Sequence, residues 1–306
     1  MLLCLEAVIQ FKGNKEWLKN QLHNVKIDVP MEIIENQEFV FVVKEKSIII
    51  KCDIPLNQSN LDDKEFDETF TREAVESLFY RNEFKVRIHD IFICLQIAKP
   101  NCVNFNEISL YINKRKVPTL FYNNLHTPFD LEMYEEPFRR MYETLDFIVV
   151  WEWLKKQQEF WMEVPQTNFG RFLNYVRYIY YDSGVLAPLW LSMALESLLV
   201  ENQSFAKSQM AGKLYELFKG NFSIEEIKVY VNKFYKLRSK IAHGNLRLYR
   251  PTLIHDALKE VEDIDNELIS NNSFGIFSVI YCLQFMIMNN LNRLEFKEEI
   301  IYTIKV

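Results

Sequence analysis

The stretch SIEEIKVYVNKFYKLRSKIAHGN, residues 223–245, reads as the best-specified helix in the chain. Ser223 followed three residues later by Glu226 forms a capping box, in which each residue satisfies a backbone N–H that the first helical turn leaves unpaired. Ile227, Tyr230, Val231, Phe234, Leu237 and Ile241 recur at spacings of three and four, which places one apolar stripe along the helix. Gly244 can take the left-handed conformation that stops it. Arg238 and His243 stand at its carbonyl end with four residues between them.

That pair suits phosphodiester chemistry. An imidazole with an ordinary pKa of about 6.5 exchanges protons near neutrality, and a guanidinium holds two phosphate oxygens at once. Spacing does not select the pair by itself, because Arg250 and His255 in RPTLIH have the same gap. There Pro251 follows the arginine at once and an acidic helix begins, so context favours Arg238 and His243. Five positions turn a helix by about 140°. The two side chains therefore share a face only if the last turn unwinds or a second subunit supplies partners.

Outward from this helix, everything after about residue 125 reads as helical. Expected helices run from Pro137 to about Gln158, over 168–181, over APLWLSMALESLLVEN with Pro188 in its first turn, and over 208–218 with Gly220 as its stop. Another opens at Pro251 and runs to about Ser270, and FGIFSVIYCLQFMIM at 274–288 closes the bundle. The earlier part reads as strands: VKIDV at 25–29, EFVFVV at 38–43, SIIIKCDI at 47–54, KVRIHDIFICLQIA at 85–98 and EISLYI at 107–112, with KEK joining the second and third as a hairpin. MLLCLEAVIQFKGNK lacks a basic leader and reads as a first strand or helix rather than a signal peptide. The acidic KEFDETFTREAVESLFYR reads as an amphipathic helix or an insertion, and FYNNLHTPFD at 121–130 as the boundary between the two halves.

At 306 residues, with 49% hydrophobic and 25% charged side chains, the chain can bury a full core and two domains, which excludes the disordered and fibrous classes. Seven Gly and nine Pro are few for this length and favour long helices. Five scattered Cys without a CxxC pair indicate neither a disulfide framework nor a zinc site and fit a reducing cytoplasm. The 274–288 run spans only ~22 Å as a helix against a ~30 Å hydrocarbon core, so it reads as a buried helix, and no membrane partner is expected. HExxH, GxxxxGK[ST] and GxGxxG are absent, which leaves metal hydrolases, P-loop enzymes and dinucleotide enzymes without support; no metal or cofactor is expected. His89, among apolar neighbours, reads as a hydrogen-bonded structural residue.

The net charge of -6 argues against coating nucleic acid with the whole surface. Residues 201–250, however, carry ten Lys or Arg against four Glu. Within that window Lys213, Lys240, Arg247, Tyr249 and Arg250 are candidate RNA contacts, with guanidinium and ammonium groups for phosphate and a ring for stacking.

LWLSMALESLLVEN, AKSQMAGKLYELF and LRSKIAHGN together resemble the HEPN superfamily, most closely its ApeA-like branch. The resemblance covers roughly residues 135 to 295 and is densest from about 188 to 246. It implies that 126–306 is an all-α HEPN-like helical bundle; with the strand-like reading of the earlier half the chain is expected to be α+β, an N-terminal mixed α/β or β-rich domain over 1–125, to which domain order gives a regulatory or sensing role, preceding the bundle. It further implies a metal-independent endoribonuclease that works as a homodimer, with the motifs of two subunits meeting at the interface. Arg238 and His243 match the ends of the motif. Ser239 stands where many members have Asn, Asp or His, and Glu196 matches the acidic residue of the preceding helix, there to orient His243 or Arg238 or simply to be a satisfied buried carboxylate. The implied substrate is tRNA or mRNA, the implied setting antiphage defence or toxin activity, with a trigger or antitoxin as a further partner. The alternative expectation is a noncatalytic HEPN-like module that holds a nucleotide, an RNA or a protein.

Overall fold

A computed structural model describes residues 2–31, 37–55, 72–100, 103–117, 138, 140–162, 164–181, 185–247 and 259–296. The chain is α+β, with an antiparallel sheet followed by helices. Strands β1 (Leu2–Gly13), β2 (Lys26–Val29), β3 (Gln37–Val43), β4 (Ser47–Pro55), β5 (Val103–Ile112) and β6 (Arg115–Val117) form one sheet in the order β2-β3-β4-β1-β5-β6. The N-terminal segment is thus a strand, and a central one, paired on one side with β4 and on the other with β5. β3 and β4 form the expected hairpin, with Val43 opposite Ile48. Leu3, Leu5, Ala7 and Ile9 point inward while Cys4 and Gln10 are exposed, the period-two pattern of a sheet with one covered face.

Two helices fit against the covered face. Helix α1 (Lys15–Leu22) is capped by the Asn14 side chain, which accepts the Trp17 N–H at 3.0 Å, and buries Trp17, Leu18 and Leu22. Helix α2 (Arg72–Ala98) corrects the sequence reading, which expects a strand at 85–98. Positions 87–98 are buried without a break. A helix enclosed on all sides gives the same continuous apolar run as an enclosed strand, so periodicity cannot separate them. Phe84 of α2 meets Phe39 of β3 with ring centroids 5.1 Å apart.

The helical half comprises α3 (Phe147–Lys155), a 3-10 turn (Gln158–Phe160), α4 (Asn168–Tyr181), α5 (Ala187–Leu199), a second 3-10 turn (Gln203–Phe205), α6 (Ala206–Leu217), α7 (Ile224–Ala242) and α8 (Lys259–Met288). The expected helix from Pro137 to Gln158 is not continuous: Phe138 is helical, 140–141 form a turn, 142–146 have no regular structure and α3 starts at Phe147; Pro137 itself lies outside the described residues. Tertiary hydrogen bonds hold the irregular segment 142–146 in place. The Gln284 side chain accepts the Glu143 N–H at 3.0 Å and donates to the Glu143 carbonyl at 2.9 Å and the Ile97 carbonyl at 2.7 Å, while the Phe147 N–H donates to the Gln21 side chain. The two expected C-terminal helices are one helix, α8, uninterrupted at 270–273. Asn271 and Ser273 donate to the Glu267 and Ile269 carbonyls one turn back, and these polar side chains are thereby satisfied within the helix. Pro251 is outside the described residues.

Within α8, Gly275 permits close helix packing: a Cβ there would lie 3.0 Å from both Leu191 Cδ1 of α5 and Phe234 Cε2 of α7. The segment Glu262–Met288 has the length and apolar composition to cross a membrane, and 78% of its apolar window is buried inside the molecule. One continuous buried cluster runs from Leu3 of the sheet to Ile287 of α8. The domain boundary expected near residue 125 lies outside the described residues.

A polar knot joins α2 to α4. Asp90, 1% exposed, accepts Arg87 NH1 at 3.1 Å and Arg177 Nε at 2.9 Å. Asp90→Ala removes the buried carboxylate that two guanidiniums share, leaving Arg177 its bonds to Asn174 and Phe160 and Arg87 the Glu83 carboxylate at 3.8 Å, and should lower the unfolding free energy by about 3 kcal/mol, read from urea denaturation. His89 beside it is an α2 residue rather than a strand residue, and burial, reinforced by Lys85 and opposed by Asp90, pushes its pKa down to about 4. A His with a depressed folded pKa leaves stability intact above its ordinary value and removes it as pH falls from about 6.5 toward 4. That loss is on the order of 3 kcal/mol. Unfolding curves of wild type and His89→Gln between pH 7 and pH 4 should show a shallower acid decline in the variant.

Candidate functional site

Helix α7 carries the expected motif, and its two ends are set by local chemistry. The capping box is present, with Ser223 Oγ accepting the Glu226 N–H at 3.2 Å and the Glu226 carboxylate accepting the Ser223 N–H at 2.7 Å. At the other end His243 is the C-cap. The Gly244 N–H donates to the Ile241 carbonyl at 3.1 Å and the Asn245 N–H to the Lys240 carbonyl at 2.7 Å, while Gly244 takes φ +66°. This is the Schellman arrangement, which closes a helix by consuming its last carbonyls. It leaves His243 exposed at the tip.

Arg238 lies on a different side of the same helix. Its side chain is 37% exposed, and one terminal nitrogen stands 3.8 Å from Glu196 Oε2 of α5, a carboxylate only 12% exposed. The structure therefore settles which motif end Glu196 faces: Arg238, not His243. No hydrogen bond or ion pair joins Arg238 to His243. The helix stays regular to Ala242, so the rotation of about 140° between them is kept.

Tyr235, which the sequence reading passes over, completes this cluster. It sits three residues before Arg238 on the same side of α7 and is 7% exposed. Burial, and after it the Glu196 carboxylate, push its hydroxyl far above the usual phenol range. The hydroxyl lies close enough to Glu196 for the carboxylate to act on it, yet neither it nor the buried Arg238 Nε has a partner within full hydrogen-bond geometry. The Lys207 ammonium lies 5.6 Å from the Tyr235 ring centroid. In the sequence Tyr235 is concealed as one more aromatic residue next to the apolar stripe.

The expected RNA contacts separate into three cases. Lys240 is half-buried and paired with Glu267 of α8 at 2.7 Å. Lys213 is only 6% exposed, with its ammonium 2.6 Å from Glu201 and over the Phe296 ring. This enclosure is at odds with the expected contact between Lys213 and an RNA backbone. Arg247 is exposed, and Ser239 is exposed on α7. Tyr249, Arg250 and His255 lie outside the described residues. Among the described residues no group of three His, Cys, Asp or Glu is placed to hold a metal ion.

A groove of about 850 Å³ lies elsewhere, lined by Lys156, Asn168, Ser197, Glu201, Asn292 and Arg293 among others. It shares α5 with the Arg238 cluster but none of its residues, and it contains neither Arg238 nor His243. No family model, curated protein or solved structure matches this chain.

The exposure of His243 depends on the Gly244 conformation. A Cβ at Gly244 meets no atom within 4 Å, so the cost of Gly244→Ala is the backbone strain of positive φ alone. That should lower stability by about 1 kcal/mol in a urea titration.

Proposed function

We propose that the chain is a metal-independent endoribonuclease of HEPN type, in which Arg238 and His243 act on an RNA phosphodiester. The observation that carries this reading is the placement of the pair on α7: an accessible imidazole at the helix tip, five residues beyond a guanidinium that an acidic neighbour engages and solvent still reaches. In the proposed reaction the RNA 2'-hydroxyl attacks the adjacent phosphorus. His243 takes or returns the proton, and Arg238 stabilises the charge that grows on the phosphorane oxygens. The bond to the 5'-oxygen breaks, leaving a 2',3'-cyclic phosphate and a 5'-hydroxyl. The route uses the 2'-OH, so DNA is inert.

One copy holds Arg238 and His243 apart, so the reading calls for a homodimer in which a two-fold axis brings the α7 tips together. Within such a site each subunit contributes a histidine and an arginine to the substrate. The sheet half takes the regulatory or sensing role, answering a trigger or antitoxin, and the setting is cytoplasmic antiphage defence or toxin activity. A second reading, a noncatalytic module binding a nucleotide, RNA or protein, draws support from the pairing of Lys213 with Glu201 and of Lys240 with Glu267, which neutralises two of the cations expected to meet RNA.

Cleavage of total RNA and purified tRNA in excess chelator separates them. The ribonuclease reading expects cutting with cyclic-phosphate ends, lowered at least about 100-fold by His243→Ala. RNA or nucleotide affinity that survives His243→Ala, with no cutting by either protein under any trigger tried, would instead establish the binding module.

A further inference from the structure

Glu196 faces two donors from successive turns of α7, the Tyr235 hydroxyl and the Arg238 guanidinium. Neither the hydroxyl nor Arg238 Nε has another acceptor. An enclosed donor without a partner is costly, and a carboxylate with two oxygens has the acceptor capacity to serve both. The phenol is held in its protonated form by burial and by the same carboxylate, so it remains a donor throughout the working pH range. Its ring is fixed on α7 by burial and by the Lys207 ammonium.

We infer that Tyr235 is a positioning residue: its hydroxyl donates to Glu196 and holds that carboxylate where it fixes the Arg238 guanidinium, leaving the guanidinium's outer edge for a phosphate. This rests on the ribonuclease reading proposed above. A guanidinium has five N–H donors, so a carboxylate on one edge leaves donors for an in-plane pair of phosphoryl oxygens on another. Without the tyrosine donor, Glu196 is free to swing toward solvent, and Arg238 loses the orientation on which charge stabilisation in the transition state depends. The effect therefore belongs in kcat rather than in KM.

The test uses the full chain, a defined tRNA substrate and excess chelator, with wild type, His243→Ala, Tyr235→Phe, Glu196→Gln and the Tyr235→Phe/Glu196→Gln double variant. Tyr235→Phe removes only the hydroxyl and keeps the ring. The expected result is a kcat about tenfold below wild type with KM within about twofold, and no further loss when the change is made in the Glu196→Gln background. Should Tyr235→Phe lower the thermal midpoint markedly, Glu196→Asp, which draws the carboxylate back from both donors, carries the same expectation. A wild-type kcat in Tyr235→Phe, or losses that multiply in the double variant, would overturn the inference while cutting abolished by His243→Ala keeps the ribonuclease reading. Absence of chelator-resistant cutting by wild type would overturn both.

Discussion

The carboxylate of Asp90 is the constraint on which the arrangement of the two halves depends. It is enclosed, and an enclosed carboxylate requires charge and hydrogen-bond partners. Arg87 supplies them from the same helix and Arg177 from α4. Arg177 also donates to the Asn174 side chain and the Phe160 carbonyl and lies 4.1 Å from the Phe160 ring centroid, while Arg87 lies over Trp161 at 5.1 Å. Apolar packing is tolerant of small rotations, whereas these directional contacts are not. They fix the azimuth of α2 against α4, and α2 in turn touches the sheet through Phe84 and α8 through the Ile97 carbonyl.

The candidate site inherits its geometry from this packing in two different ways. His243 is placed by local rules: a capping motif closes α7, and the residue at the cap is left in solvent. Arg238 is placed by tertiary rules, because Glu196 belongs to α5, and the approach of α5 and α7 to α8 is set at Gly275, where no side chain larger than hydrogen fits without displacement. A change in the packing of α5 against α7 would therefore alter the carboxylate that Arg238 meets and leave the capping geometry of His243 intact. Such a division suits a site whose competence responds to what the rest of the chain or a second copy does to the bundle.

Local structure was legible wherever it followed from local chemistry. The capping box at Ser223, the stop at Gly244, the first-turn Pro188, the hairpin between β3 and β4 and the helix over 168–181 all rest on interactions within a few residues. Illegible were the helix at 85–98, the irregular segment before Phe147 and the continuity of α8. The first two were decided by partners distant in sequence, the sheet and bundle that enclose α2 and the Gln284 side chain that captures Glu143, whereas the third rests on polar side chains in α8 that find carbonyls one turn back, bonds that a polar run does not announce as helical. For the site, the motif residues were legible by type and spacing, but the side to which Glu196 turns and the presence of Tyr235 beside it were not.

By itself the sequence determined the class of secondary structure at many positions and the helix that carries Arg238 and His243. Hydrogen bonds within one turn and the periodicity of apolar side chains suffice for that. The burial of the terminal apolar run came from the tertiary structure, because the helix is longer than the 15-residue run suggests. Only the tertiary structure decided that the central apolar run is a helix, that Lys213 is enclosed against Glu201, and that Glu196 belongs with Tyr235 and Arg238. The reason is physical: burial and ion pairing depend on which surfaces meet across long stretches of chain, and the free energy of that meeting is not written in any one segment.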